Sequence, residues 1–508
     1  MSLYLKPKAL EENYQIKKES FHEYIDKVKK NAPWDIYTIV NSTLSKNPYT
    51  SKFPFKFFSL NISKVNYKVL FLKSILKFYA KNIYLLFSYL IALLLYKIYF
   101  LNKKTREPKV VIDTFGLIDQ VNKLGRFEEN YFKGVYELLD KYKVDYVILL
   151  RLYKVGKNPF KLINFFKIIN QENQNFIFEY EFFTVKDFLK LFMLILKYPF
   201  KTLRLLQGEQ TQTDRLFNQV LIEDISMCSF DSFSRYILGK NIAKIDMIEK
   251  VYAWSEFQVI ERSFNYGIRS TNSIIEINAL QFFINNQKYF NAYIDELDFN
   301  MLSSPDKVFV NGRYYLQDRK NIRYDIGVSL RYKEIFNFNG IQEEKNIVLL
   351  GSYIERDTKY LLESVEDFNH IIFKNHPAVD ISKFGKIPKN IVLSNDNIYT
   401  LFETTKLVIS TSFAGTSVEA VACGISVIVV ASQDNLTANP LVEYGQGKIW
   451  DIAFSQDDIT MVYNRLIKYR NKNPNEIQKM AQWYKENFFV EPTEENIVKV
   501  FELDKERK

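Results

Sequence analysis

In the last third of the 508-residue sequence, residues suited to holding an anion recur at the ends of short apolar runs. They are Gly351-Ser352, then Lys374-Asn375-His376-Pro377, then Ser410-Thr411-Ser412, followed by Gly415-Thr416-Ser417 and Glu419. The set is rich in small hydroxyls, with one lysine and one imidazole, and has no acid until Glu419. Such a set suits a phosphate. The stretch TSFAGTSVEA (411–420) offers backbone N–H groups and hydroxyls at a helix start. Gly415 permits close backbone approach. His376 can donate a ring N–H to a phosphate oxygen, a bond that protonation strengthens. Pro377 fixes the turn behind it. Glu419, inside the first helical turns, can accept bonds from a ribose diol. Taken singly, each has a plainer reading as a cap, a loop residue or a first-turn acid. The functional reading rests on their order along consecutive strand ends.

The elements that must position them are legible as β/α alternation. KNIVLLGS (345–352), HIIFKNHP (370–377), NIVLSN (390–395), LVISTS (407–412) and ISVIVVAS (425–432) read as buried parallel strands. DTKYLLESV, NIYTLFETT and GTSVEAVACG read as the intervening helices, and MVYNRLIKYRN and EIQKMAQWYKENF close the series. An earlier series starts at Lys109: the strand KVVIDTFG, a loop, the helix ENYFKGVYELLDKY and the strand VDYVILLRL. Helix character follows within 244–267, then two more strands, SIIEINAL and DKVFVNG. The expectation is an α/β protein with two doubly wound sheets, each binding ligands at the carboxyl ends of its strands, and an active site in the cleft between them.

Composition narrows the class. Hydrophobic residues make up 47% and aromatic residues 16%, enough for packed cores, and a mean hydropathy of −0.19 argues against a polytopic membrane protein. Two cysteines and three scattered histidines (His22, His370, His376) leave no disulfide framework and disfavour a zinc site. The opening MSLYLKPKAL lacks the apolar core of a signal peptide. A net charge of +10 fits an anionic membrane face or an anionic substrate. No nucleic-acid module is visible, so nucleic acid is not an expected partner.

The run Ile83–Leu101 holds one charge, Lys97, with lysines on both flanks. A span, a helix lying in the cytoplasmic leaflet and a buried helix compete, and charge on both sides favours the interfacial form. Phe188–Leu206, basic and amphipathic but broken by Pro199, is expected on the same surface or against the core.

The order strand–K-x-H-P, strand–S-T-S, then G-T-S-x-E-A-x-x-x-G-x-x-V-I-V resembles the nucleotide-binding half of GT-B glycosyltransferases. It looks most like bacterial surface-polysaccharide enzymes that use CMP-activated sialic, Kdo or related ulosonic acids. YAWSEFQVIERSFNYGIRS (252–270), IIEINALQF (274–282) and SPDKVFVNGRYYL (304–316) are similar to surface-carbohydrate biosynthesis proteins, whose strand ends in Gln-His where this chain has Gln281-Phe282. The resemblance covers about 110–450. It implies a GT-B fold, two Rossmann-like domains facing a cleft, to which an N-terminal helical membrane-associating segment is added. The expected divisions are an arm at 1–108 carrying the membrane-contacting segment 83–101, an acceptor-side domain at 109–340, a donor domain at 341–485 and a helical tail at 486–508.

By the same resemblance, Gly351, Ser352, Lys374, His376, Pro377, Ser410, Thr411, Ser412, Gly415, Thr416, Ser417 and Glu419 bind the nucleotide donor, His376 at its phosphate and Glu419 at its ribose. The base that deprotonates the acceptor hydroxyl comes from the first domain, with Asp119 and Glu256 ranked equally. The implied function is transfer of an acidic sugar from a CMP donor to a surface glycan (lipopolysaccharide or capsule) or a lipid-linked acceptor. It takes place at the cytoplasmic face of the inner membrane, with no cofactor or metal. Two alternatives stay open: a CDP-polyol phosphotransferase of the teichoic-acid type, and a catalytically degenerate GT-B partner in polysaccharide assembly.

Overall fold

A computed structural model describes residues 5–48, 50–58, 66–100, 108–153, 158–377 and 379–504. Two parallel sheets organise the chain. The first holds β1 (Val110–Leu117), β2 (Tyr146–Tyr153), β3 (Phe176–Ile177), β4 (Lys250–Trp254), β5 (Glu276–Gln281), β6 (Lys307–Val310) and β7 (Arg323–Ile326), in the order β3-β2-β1-β4-β5-β6-β7. The second holds β8 (Asn346–Leu350), β9 (Ile371–Lys374), β10 (Ile391–Leu393), β11 (Thr405–Ser410), β12 (Ser426–Val430) and β13 (Trp450–Ala453), in the order β10-β9-β8-β11-β12-β13. Both are doubly wound, and their strand order reverses at β1/β4 and at β8/β11. Helices cover both faces, so the central strands are near-continuous Val, Ile and Leu, buried throughout. This is the expected GT-B arrangement of two Rossmann-like units, with a long apolar helix on the N-terminal side.

Several elements differ from the sequence reading. β3, β7 and β13 carry too few apolar residues, two to four positions each, to stand out. Only Val135–Lys141 of ENYFKGVYELLDKY is helical, because Glu129 turns its carboxylate onto the Tyr131 and Phe132 amides and holds a loop there. Pro199 does not break its helix, which runs Val185–Thr202. Lying one turn from the end, the ring removes a single backbone bond. The N-terminal arm carries the helix Leu5–Asn31, which touches both units. Lys29 pairs with Asp298 at 2.9 Å beside the first sheet, and Glu11 accepts from the Thr437 amide at 2.8 Å beside the second.

The apolar run belongs to a 34-residue helix, Tyr67–Phe100; Leu101 lies outside the described residues. By length and composition it is able to cross a membrane, and a third of its most apolar window is buried. One flank (Phe78, Tyr89, Ala92, Leu95, Tyr96, Phe100) joins the core around β1 and β2. The other flank leaves Leu72, Leu76, Phe87, Leu94 and Ile98 exposed.

The chain end locks the units together. Helix Pro474–Phe488 leaves the second unit and meets the first, where Asn311 donates to the Phe488 carbonyl at 2.9 Å. A side chain on Gly312 would collide with that same backbone. Helix Glu494–Phe501 then docks on the first sheet, and Tyr252 donates to the Phe501 carbonyl at 3.2 Å.

Candidate active site

At a reversal of strand order two neighbouring loops diverge to opposite faces and open a crevice. The crevice of the first sheet lies between the exits of β1 and β4. Trp254 ends β4 and is fully buried, and Ser255, Glu256 and Phe257 follow it. Tyr131, from the segment after β1, sets its ring 4.4 Å from that of Trp254 and 5.2 Å from that of Phe115.

Beneath this wall Asp113 is wholly buried in β1 and ion-paired with Arg151 of β2 and Arg235 of helix Phe230–Ile242. Arg151 also pairs with Glu261 and donates to the Trp254 carbonyl. Removing one member of such a network would strand a buried charge, so it holds the β4 exit rigidly.

Glu256 is half-buried on this rim. Gln258 donates to its carboxylate at 2.8 Å, and Asn291 donates to its backbone carbonyl at 2.7 Å. It lies close enough to Tyr131, Tyr289, Tyr332 and Arg331 to bias their titration. Asp119 is elsewhere. It sits in the first turn of helix Ile118–Leu124 with its side chain 69% exposed, paired to Lys161 at 2.6 Å. Of the two candidate bases, Glu256 is half-buried among the aromatic residues of the β4 exit, whereas Asp119 is exposed on the helix that follows β1.

The hydroxyl set of the second sheet does not face the cleft as a group. The Ser417 hydroxyl donates to the Ser410 hydroxyl at 2.8 Å, and both are fully buried. Ser412, also fully buried, accepts from the Ala438 amide at 2.8 Å. Thr411 is buried beside them. Ser352 accepts from the Ile354 amide at 3.1 Å, in the turn that leads into helix Glu355–Glu363. These five side chains, expected at phosphate, satisfy local backbone or one another, which is the usual fate of buried hydroxyls.

The glycines also have structural reasons. A Cβ on Gly351 would press into Phe373 and Thr358. Gly415 has ordinary helical φ, and the residue that approaches it is Ile284 of the first unit. Lys374 donates to the Asp396 carbonyl at the β10 side, and Pro377 is exposed in the turn closed by the Val379 amide on the His376 carbonyl.

His376, Thr416 and Glu419 remain near the cleft. The His376 ring is half-buried, edge-on to Tyr353 at 6.0 Å, and Tyr353 in turn stands 5.4 Å from Phe413. Tyr353 thus touches both the imidazole and the 411–417 turn. Burial lowers the His376 pKa, so at neutral pH the ring is uncharged and carries a single N–H. Glu419 is buried, which raises its pKa. The Tyr399 hydroxyl donates to it, and Arg331 and Thr416 also favour its charged form.

From His376 the rings continue across the interface. Phe413 lies 5.4 Å from Tyr289, Tyr289 lies 6.5 Å from Phe283, and Phe283 lies 5.9 Å from Trp254. An aromatic path thus joins the β9 exit of one sheet to the β4 exit of the other.

Arg331, in the turn Leu330–Tyr332 where the chain passes between units, completes the group. Its guanidinium stands 5.4 Å from the rings of both Tyr131 and Trp254. Sequence reasoning missed Arg331, Tyr131, Tyr289, Tyr353 and Tyr399. With 34 tyrosines in the chain, a single one carries little signal.

No protein-family model matches the chain, and no curated protein matches it. Solved structures similar to it include MurG of Acinetobacter baumannii, at 11% identity over 78% of this chain and 100% of that one, with a TM-score of 0.39. A UDP-N-acetylglucosamine 2-epimerase is similar at 12% identity over 79% and 98%, with a TM-score of 0.41. The wall teichoic acid polymerase TagF is similar at 12% identity over 88% and 98%, with a TM-score of 0.38.

Proposed function

We propose that this chain is a nucleotide-sugar-dependent glycosyltransferase. It moves an acidic sugar from a CMP-activated donor to a surface glycan or lipid-linked acceptor. The observation that carries this reading is the meeting of two strand-order reversals at one cleft, with a carboxylate on each side: Glu256 on the first unit, Glu419 on the second. The nucleotide lies against the second sheet. His376, uncharged, donates its N–H to a phosphate oxygen, and Thr416 lies at the start of the helix beneath. The acceptor hydroxyl enters from the first sheet, where Glu256 takes its proton as the bond to the anomeric carbon forms. Fixed donors around the leaving phosphate stabilise the charge that develops there. The CDP-polyol alternative calls for a histidine base in the first unit, and no histidine occurs between 109 and 345.

A thermal-shift and calorimetric series with CMP, CDP, UMP, UDP and GDP tests the donor. CMP at 100 times its dissociation constant adds about 2.7 kcal/mol of stability, and His376→Ala weakens CMP binding at least tenfold. Equal CMP affinity in the variant, or preference for a uridine or guanosine nucleotide, rejects the reading.

The same proposal sets the enzyme on an anionic bilayer. Helix Val185–Thr202 runs beside helix Tyr67–Phe100, where Tyr79 donates to the Leu196 carbonyl at 2.8 Å and the Phe71 and Phe200 rings stand 6.4 Å apart. Exposed Leu189, Phe192, Met193 and Phe200 extend the apolar strip of Leu72, Leu76, Phe87 and Leu94. Lys68, Lys73, Lys77, Lys97, Lys186 and Lys197 are exposed along the two helices, and helix Tyr67–Phe100 contains no acid. At about 51 Å the long helix exceeds the bilayer core, and its buried flank ties it lengthwise to the protein, so it lies in the lipid interface. Flotation with phosphatidylglycerol vesicles recovers the protein, and Leu76→Ser with Phe87→Ser releases it. Equal recovery of wild type and variant rejects the placement.

A further inference from the structure

The arginines buried in the first unit share a pattern that Arg331 does not. Arg151 and Arg235 pair with Asp113, and Arg262 pairs with Asp298 at 2.9 Å. Among the described residues Arg331 has no ion pair and no hydrogen bond from its guanidinium. Its contacts there are the π faces of Tyr131 and Trp254. Its side chain reaches the surface; partial desolvation against the rings works against its charge, and Tyr332, Tyr131, Glu419 and Glu256 around it outweigh that.

The backbone that presents Arg331 is rigid. Leu330 and Tyr332 on either side are buried, the Tyr332 hydroxyl accepts from the Ile284 amide at 3.2 Å, and Ser329 donates to the Asn311 carbonyl at 3.0 Å. A planar fork of donors thus stands against one side of the paired Tyr131 and Trp254 rings, exposed to solvent, at the seam of the two units.

We propose that Arg331 is the receptor for the carboxylate of an acidic sugar held in this cleft. A carboxylate satisfies the fork with two parallel N–H···O bonds, while the paired Tyr131 and Trp254 rings back the guanidinium on its other side. A lysine offers no such fork. This inference rests on the acidic-sugar reading above and names the residue that would select for it.

Calorimetry on the full chain tests it with N-acetylneuraminate, its carboxamide, and inorganic phosphate. The expected result is binding of the acid but not the carboxamide, loss of at least tenfold in affinity in Arg331→Ala, and partial recovery in Arg331→Lys. Arg331 makes no ion pair among the described residues, so the variants should fold with melting temperatures near wild type; Arg331→Gln, which keeps the volume, serves if Ala does not. Equal binding of acid and carboxamide, equal binding by wild type and variants, or no binding by wild type overturns the proposal. Phosphate bound through Arg331 in place of the acid overturns it too. A CMP titration run alongside separates the two readings. CMP bound without the acid overturns only the carboxylate receptor, whereas the acid bound without CMP overturns only the donor.

Discussion

The carboxyl edges of the two sheets invert what their residue types advertise. The second edge is dense in hydroxyls, and nearly all of them are engaged: Ser410 with Ser417, Ser412 with Ala438, Ser352 with Ile354. The first edge is mostly aromatic, and it is there that a guanidinium and a carboxylate stand open to the cleft. Polar residues serve a ligand only through donors and acceptors left over after folding. Residue type sets the capacity, and neighbours set what remains of it. The first edge keeps its groups available because a separate buried network (Asp113, Arg151, Arg235, Glu261) carries the structural load beneath.

The largest effect follows from Glu256 against Asp119. If Glu256 is the base, Glu256→Gln lowers kcat roughly 10²- to 10⁴-fold, the usual contribution of general base catalysis, with little change in melting temperature. Asp119→Asn removes one exposed ion pair, of the kind contributing about 0–1 kcal/mol, and leaves kcat unchanged. Steady-state transfer assays on both variants check this. A collapse of kcat in Asp119→Asn with normal Glu256→Gln would reverse the assignment of the first edge.

A smaller effect separates the hydroxyls of the second edge. Ser410→Ala or Ser417→Ala alone leaves the partner hydroxyl buried without its bond, costing about 1–3 kcal/mol. The double variant costs less than the sum of the two, because no orphan remains. Urea unfolding reads these values, and a nucleotide titration of the same variants should show affinity within twofold of wild type. A tenfold loss of nucleotide affinity without loss of stability would return these serines to the ligand.

The comparison also explains what was legible. Core strands were readable because a strand buried on both faces must be continuously apolar, as in NIVLL and SVIVV. Their alternation with helices was enough to expect a parallel sheet with His376 just past the carboxyl end of a strand, but not the order β9-β8-β11, in which β8 separates the other two. β3 and β13, at sheet margins, offered no such run. The direction of a side chain at a strand exit was not readable, since Ser410 and Glu256 have equally polar sequences around them. Ser410 is the last residue of β11 and points into the layer between sheet and helix, where Ser417 meets it; Glu256 lies two residues beyond β4, past the last pairing. Arg331 was obscure for another reason. Its neighbours Tyr131 and Trp254 are distant in sequence, and only the closing of the first sheet brings them to the linker.

Asp357 gives the smallest effect and the most selective probe of the second edge. It lies in helix Glu355–Glu363, buried, accepting from the Ser432 hydroxyl at 2.9 Å. Burial pushes its pKa up to about 6. The folded state therefore holds a proton between about pH 4 and 6 that the unfolded chain has already released. By linkage, the stability contributed by this group is full below the unfolded value, falls as pH rises, and is lost once pH passes about 6. The slope is at most about 1.4 kcal/mol per pH unit. Glu179 and Asp224, each pushed up to about 7 by burial, slope the same way, and His22, lowered to about 4, slopes oppositely. The measurement is thus a difference: wild type minus Asp357→Asn, by chemical unfolding from pH 5 to 8. Wild type should lose stability relative to the variant across that range, flattening above about pH 7. A flat difference would mean that Asp357 is charged in the fold and that the second edge keeps an open carboxylate after all.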